Sequence, residues 1–314
     1  MIFLKKTAQT ILACLVTILL FSACEKFQGD VRVPAYLHLD RIVVGPQTQM
    51  APSPEPGFYT STIDAAQVIC YFQGDAAETN LGVYQLPFTA PILHHGPIQY
   101  VKIVPVVKQN GMSSTRIAYP YYQTIQLDNI TTAPDSVTNL GKYIEADSQW
   151  VLTAHYFPLS NMNVLIEDYF EPTSFSTNFD TNLTWVHDSA SAACTGKGFG
   201  MLVVPDTVQV SNFTVLTSLN PRVGQYLYLE MDYQTDLDLD VNILGFRVNS
   251  EGSATTIPVM RLIPNTRWQK IYINLGRAWS NLNYNTPITL FFQAVNLSGT
   301  GGTVRIDNVK VIAQ

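Results

Sequence analysis

Polar and apolar positions alternate with a period of two through much of the second half of the chain. Leu227, Leu229 and Met231 share one parity, and Tyr228, Glu230 and Asp232 the other. Leu237, Leu239, Val241 and Ile243 oppose Asp236, Asp238, Asp240 and Asn242, and Ile271, Ile273 and Leu275 oppose Lys270, Tyr272 and Asn274. Such a pattern predicts strands packed on one face and polar on the other. Val304 and Ile306 occupy a parity that Val309 and Val311 do not, so Asp307-Asn308 marks a bulge or the end of one face. In the first half, residues 33–44 read as a strand, with Leu37 and Leu39 against His38 and Asp40. Residues 68–72 and 98–107 are continuous apolar runs, the signature of buried strands, with further strands at 81–86 and 115–127. Asn110-Gly111 predicts a hairpin turn. Pro52, Pro54 and Pro56 place residues 47–57 in a loop. No segment has the 3.6-residue period of a long helix. The expected fold is all-β, with two β-sandwich domains over 33–138 and 167–314 and a bridging segment at 139–166.

Residues 1–23 read differently. Lys5 and Lys6 open them, an apolar run covers 11–21, and Ser22-Ala23 precedes Cys24. These are the parts of an export signal. The run is too short for a ~30 Å hydrocarbon core, which takes about 20 apolar residues. Phe21-Ser22-Ala23-Cys24 resembles the lipobox of bacterial lipoproteins. Phe21 stands where Leu or a similar aliphatic is usual, a variant similar to lipoproteins of Bacteroidota-type envelopes. The resemblance implies cleavage before Cys24, a thioether-linked diacylglycerol and an N-acyl chain of palmitate type, and so a protein held at the outer membrane. Residues 24–32 then form a tether. Glu25-Lys26-Phe27-Gln28-Gly29-Asp30 leaves open whether the periplasmic face or the cell surface is occupied.

Cleavage would leave 291 residues and a net charge of −8, which gives no electrostatic reason to bind nucleic acid. Charged residues make up 13% of the chain, about half the usual share, as suits weakly charged, hydrogen-bonding β-faces. Cys14 leaves with the signal and Cys24 is acylated, so Cys70 and Cys194 remain, expected as two separate thiols with Cys70 buried.

Two further resemblances concern the domains. Strand spacing and Lys108-Gln109-Asn110-Gly111 make residues 33–129 similar to immunoglobulin-like or PEGA-like β-domains of envelope lipoproteins. The second unit resembles the galactose-binding-like jelly roll of carbohydrate-binding modules. That likeness rests on Tyr169-Phe170-Glu171, Gly196-Lys197-Gly198-Phe199-Gly200, Tyr228-Leu229-Glu230-Met231-Asp232-Tyr233, Trp268-Gln269-Lys270-Ile271-Tyr272-Ile273 and Arg305-Ile306-Asp307-Asn308-Val309-Lys310-Val311. It implies that Glu171 and Asp307 help hold a structural Ca²⁺, an ion that takes six to eight oxygens. The alternative is two solvated acids at strand ends.

Flat aromatic faces with hydrogen-bonding neighbours would suit a sugar. Trp185, Tyr226, Tyr228, Tyr272 and Trp279 are the ligand candidates, against the commoner role of large aromatics as core or cross-strand pairs. Trp268 is assigned to the core. The row Asp236, Asp238, Asp240 spans about 6.6–7 Å per step, too far for three carboxylates to grip one ion, and reads as a polar strand face. Adjacent His94 and His95 read as loop rather than as a metal chelate. Ser136, Ser189 and Thr207 sit in Asp-Ser/Thr-aliphatic triplets that resemble the O-glycosylation signal of Bacteroidota-type envelopes.

No nucleophile elbow, zinc-binding His pair or phosphate loop occurs, so no catalytic residue is assigned. The leading expectation is a non-enzymatic lipoprotein that serves as an accessory or docking subunit of an envelope protein complex, presenting the loop rim of its jelly roll to a partner. The alternative is a glycan-binding lipoprotein of a polysaccharide uptake system. A glycoside hydrolase is a third reading, although no carboxylate pair stands out.

Overall fold

Alternation of the kind read above closes sheets face to face, and here it does so twice. The computed structural model describes residues 33–45, 62–93, 96–157, 162–171, 178–187, 193–194, 196–221, 226–247, 253–283 and 286–314. The export signal, Cys24, the tether, the proline-rich loop, His94-His95 and Ser189 lie outside them.

The N-terminal unit holds β1 (Ala35–Leu39), β2 (Arg41–Val44), β3 (Thr62–Ile63), β4 (Ala65–Phe72), β5 (Thr79–Gln85), β6 (Phe88–Ile92), β7 (Gly96–Lys108), β8 (Arg116–Ala118), β9 (Ile125–Thr132), β10 (Val137–Asn139), β11 (Lys142–Ile144) and β12 (Gln149–Ala154). They make sheets ordered β10-β1-β6, β11-β12-β2-β3 and β5-β4-β7-β8, with β9 also on β7. Leu37, Leu39, Val68, Cys70, Ile98, Val101 and Ile103 are fully buried between them. The predicted strand at 33–44 breaks at Asp40, so β1 and β2 enter different sheets. The predicted return at 115–127 is likewise two strands, β8 and β9, both on β7. Asn110 and Gly111 both have positive φ, 55° and 71°, as a type I′ turn requires, and this turn sits inside a longer 109–115 connection between β7 and β8.

The second unit holds β13 (Asn163–Asp168), β14 (Thr184–Val186), β15 (Phe199–Val204), β16 (Val210–Thr214), β17 (Leu227–Thr235), β18 (Asp238–Phe246), β19 (Ala254–Leu262), β20 (Asn265–Asn274), the short helix α1 (Gly276–Trp279), β21 (Thr289–Val295) and β22 (Gly302–Ala313). Its larger sheet runs β14-β15-β22-β17-β20, with β13 also on β22, and its smaller runs β16-β21-β18-β19. Leu227, Leu229, Met231, Leu239, Val241, Ile243, Ile273 and Phe292 fill the space between them. The parity switch is a bulge: Asn308 has φ 49°, and the β17–β22 register slips between Glu230 and Asp232. The bridging stretch is divided, with β11 and β12 completing an N-terminal sheet and β13 joining the larger sheet of the sandwich.

Candidate functional site

Side chains on the outer face of the larger sheet stand in rows set by strand register. Along β17 these are Tyr228, Glu230, Asp232 and Gln234, about 6.6–7 Å apart. Tyr228 lies opposite Asn274 and Ile312, Glu230 opposite Tyr272 and Lys310, Asp232 opposite Lys270 and Asp307, and Gln234 opposite Arg305.

The first two rows lie under the N-terminal unit. Glu230 is fully buried and accepts hydrogen bonds from the Tyr119 hydroxyl at 2.6 Å and the Tyr156 hydroxyl at 2.7 Å. Tyr122 and Tyr272 meet hydroxyl to hydroxyl at 3.1 Å. Tyr121 sends its hydroxyl between the carbonyls of Tyr226 and Ile312, at 2.7 and 3.0 Å. The Lys310 ammonium sits 4.8 Å above the Tyr156 ring and 3.6 Å from Glu167. Burial first, and then the Glu230 charge, pushes Tyr119, Tyr122 and Tyr156 well above the usual phenol range, while burial holds Lys310 below the usual ammonium range. The Asn110-Gly111 turn reaches the free edge of the sheet, where Asn110 donates its N–H to Tyr272 O at 2.8 Å and accepts the Asn274 N–H at 2.9 Å.

The third row is sealed as well. Asp232, Asp307 and Asn308 are buried. Asn308 donates its amide to Asp232 at 2.9 Å, and Lys270 lies 3.6 Å from the same carboxylate. Cys194 packs here, and burial, followed by the charges of Asp232 and Asp307, raises its thiol. Such a thiol stays protonated and is a poor nucleophile.

Beyond it the face opens. Trp268 shares the parity of Lys270, lies outside the sandwich core and meets Phe199 edge to face at 6.1 Å. The Arg305 guanidinium lies 5.8 Å over Phe199 and donates to Gln234 at 3.1 Å, and Gln234 donates to Thr266 O at 2.9 Å. Trp268, Gln234 and Arg305 are each half-buried. A partly exposed indole beside a tethered guanidinium and carboxamide can stack on an apolar ring face while bonding its hydroxyls.

The aromatics singled out from sequence are scattered. Trp279 is buried in the sandwich core on α1, and Tyr228 and Tyr272 are buried under the N-terminal unit, so none of the three offers a ring face to a ligand. At Tyr228 and Tyr272 burial wins because both faces of the strand have something packed against them. Trp185 stands edge-on to Phe170 at 6.0 Å on β14, and Tyr226 is 59% exposed just before β17. Trp268, assigned to the core from sequence, is on the outer face instead. Its parity with Lys270 and Tyr272 was the available signal.

Glu171 accepts the Lys197 N–H at 3.0 and 3.3 Å, and beside it Gly196 has φ 61°, where a Cβ would push the Glu171 carboxylate aside. Asp307 accepts the Asn308 N–H at 2.7 Å. Among the described residues no group of three or more His, Cys, Asp or Glu side chains is placed to hold a metal ion. Ser136 donates its hydroxyl to Ala133 O within a turn, whereas Thr207 is exposed. Cys70 is buried and Cys194 half-buried, both as free thiols.

Four adjacent loops, 205–209, 296–301, 236–237 and 263–264, join the two sheets at the end away from the tyrosines. The Asn296 amide donates to the carbonyls of Pro205, Asp206 and Val208, and Thr303 donates to Asp236. Leu297 and Ile263, 77% and 70% exposed, project from this rim.

No protein-family model matches the chain, and no curated relative matches it. Several solved structures are similar. One is a family 11 carbohydrate-binding module from Clostridium thermocellum in complex with a β-1,3-1,4-mixed-linked tetrasaccharide, at 14% identity and TM-score 0.30, over 46% of this chain and 94% of that one. A module from work on promiscuous specificity in the β-sandwich superfamily gives 12% identity and TM-score 0.36, over 90% and 99%. A family 61 module in complex with β-1,4-galactotriose gives 12% and 0.31, over 48% and 97%.

Proposed function

We propose that the protein is a non-catalytic, glycan-binding lipoprotein, held at the outer membrane by acyl chains on Cys24 and binding sugar on the open end of the larger sheet's outer face. One observation carries the binding site: Trp268 stands outside the core, beside an Arg305–Gln234 pair that is already fixed in place. A pyranose offers one apolar C–H face and a ring of hydroxyls, and this arrangement answers both. The test is a glycan array followed by affinity electrophoresis on native and Trp268→Ala protein. Retention on at least one polysaccharide, weakened at least tenfold by the substitution, supports the reading, and a blank array sinks it. Mass spectrometry of the exported chain should find diacylglycerol and an N-acyl group on Cys24.

A second reading, the docking subunit of an envelope complex, rests on the loop rim. Leu297 and Ile263 are the two most exposed large aliphatics among the described residues. Stoichiometric membrane partners after mild detergent extraction, lost on Ile263→Asp, would favour it. The sheet-face geometry favours the glycan reading.

A further inference from the structure

A second aromatic pair lies far from the sandwich face, on the β11–β12 hairpin. Tyr143 and Trp150 are directly opposite in register, with ring centroids 5.1 Å apart and planes tilted 46°. The hairpin forms one edge of its sheet, because among the described residues β11 pairs only with β12. Tyr143 is 44% exposed and Trp150 half-buried.

The pair is held firmly from below. Asp40 accepts the Trp150 N–H at 2.7 Å and donates its own N–H to Trp150 O at 3.2 Å. The other Asp40 oxygen is 3.2 Å from His38 Nε2, and His38 Nδ1 is 2.9 Å from Thr89. Arg41 clamps the turn through Asp147 at 3.1 Å. Neither Tyr143 Oη nor Trp150 Nε1 has a hydrogen-bond partner among the described residues.

Tyr71 and Tyr100, also at the surface, provide the contrast. Their rings are likewise 5.1 Å apart, but stacked within 21° of parallel. Both hydroxyls are used, by Asp75 O at 3.0 Å and Glu78 at 2.7 Å, and Lys102 covers the Tyr100 face. That pair is closed on itself, as a cross-strand pair serving stability alone would be. The Tyr143–Trp150 pair has divergent ring faces, two unused polar edges and a rigid base.

We infer that Tyr143 and Trp150 form a second carbohydrate platform, which takes the apolar face of a neutral pyranose. Asp40, Glu145 and Asp147 outnumber Arg41 and Lys142 around the hairpin and disfavour acidic sugars. The inference shares its ligand class with the Trp268 reading but stands on different residues. Two platforms on one chain bind a bridging polysaccharide more tightly than either binds a short oligosaccharide.

Calorimetric titration with cello-, xylo- and galactotetraose tests it on the exported chain. The expected stoichiometry is two per protein, falling to one in Trp150→Ala and to one in Trp268→Ala. Retention on the matching polysaccharide should drop at least tenfold in either variant. A stoichiometry of one that Trp150→Ala leaves unchanged overturns this inference and leaves the Trp268 site standing. A single site lost in Trp150→Ala and kept in Trp268→Ala does the reverse. Should Trp150→Ala disturb the hairpin, as near-ultraviolet dichroism would show, Tyr143→Ala on the exposed edge strand must give the same loss.

Discussion

The two ends of one sheet face carry the same residue types to opposite ends. At one end Tyr228, Tyr272, Glu230 and Lys310 are buried beneath Tyr119, Tyr121, Tyr122 and Tyr156, with the Glu230 carboxylate and the Tyr hydroxyls joined in hydrogen bonds. At the other, Trp268, Arg305 and Gln234 lie in the same alternation and are half-exposed. Strand chemistry is alike in the two; the difference is whether a second unit covers the row. An outward aromatic in a strand is therefore a binding candidate only where nothing is docked on it. Covered, it becomes part of an interface that resembles a core with polar groups fully paired.

The comparison breaks most visibly at Glu230. Glu230→Ala leaves the buried Tyr119 and Tyr156 hydroxyls without their acceptor, removes a charge that favours the Lys310 ammonium, and should cost about 3–5 kcal/mol in urea unfolding, the scale for removing one partner of a buried charged cluster. Glu230→Gln should cost less, because one acceptor survives. A loss below about 1 kcal/mol in Glu230→Ala would mean the carboxylate is idle.

Alkali probes the same end. The folded-state pKa values of Tyr119, Tyr122 and Tyr156 lie above the unfolded value of 10.0. Their protonated state is thus favoured by folding, and that stability is complete below pH 10 and lost as pH rises past it. Lys310 acts oppositely, its depressed value relieving a penalty as pH climbs toward 10.5, but it is one group against three. Tyrosinate absorbance should appear in a cooperative step together with unfolding above about pH 10. A gradual titration of all sixteen tyrosines with the fold intact would contradict the burial. Tyr119→Phe removes a single bond to a charged acceptor and should cost about 1.5–3 kcal/mol.

Much of this was legible in the chain. The alternation at 227–243 and 271–275 assigns the sandwich core residue by residue, because a strand with one packed face leaves a period of two. The parity switch at Asp307-Asn308 located the bulge, and Asn110-Gly111 located the turn. What escaped was the covering of the outward face. Tyr228 and Tyr272 have the outward parity of ligand platforms, yet their cover comes from Tyr119 and Tyr122, more than 100 residues away in sequence. Trp279 escaped for another reason: a four-residue helix is too short to show a period. The Tyr143–Trp150 pair escaped because three-residue β11 is too short for alternation to register.

At the open end the same experiments should give the opposite profile. Trp268→Ala removes one edge-to-face contact with Phe199 and is expected to cost about 1–2 kcal/mol of stability, within the range for such a pair and its partly buried area. Its effect should appear in glycan retention, whereas Glu230→Ala should appear in stability. A Trp268→Ala protein that unfolds like Glu230→Ala while binding normally would erase the distinction between the two ends.

An equally modest effect is expected at Asn110, where the covering unit meets the sheet edge. Asn110 holds a left-handed backbone conformation and closes two hydrogen bonds to β20. Asn110→Ala retains the backbone bond to Tyr272 O but loses the side-chain acceptor for Asn274 and places a Cβ-bearing residue without a local partner at φ 55°. Together these should cost about 1–2 kcal/mol. Asn110→Gly removes the same acceptor without the backbone penalty, so the difference between the two variants separates turn strain from edge pairing. If Asn110→Gly unfolds at the native midpoint, the bond to Asn274 contributes nothing, and the tyrosines around Glu230 hold the units together without it.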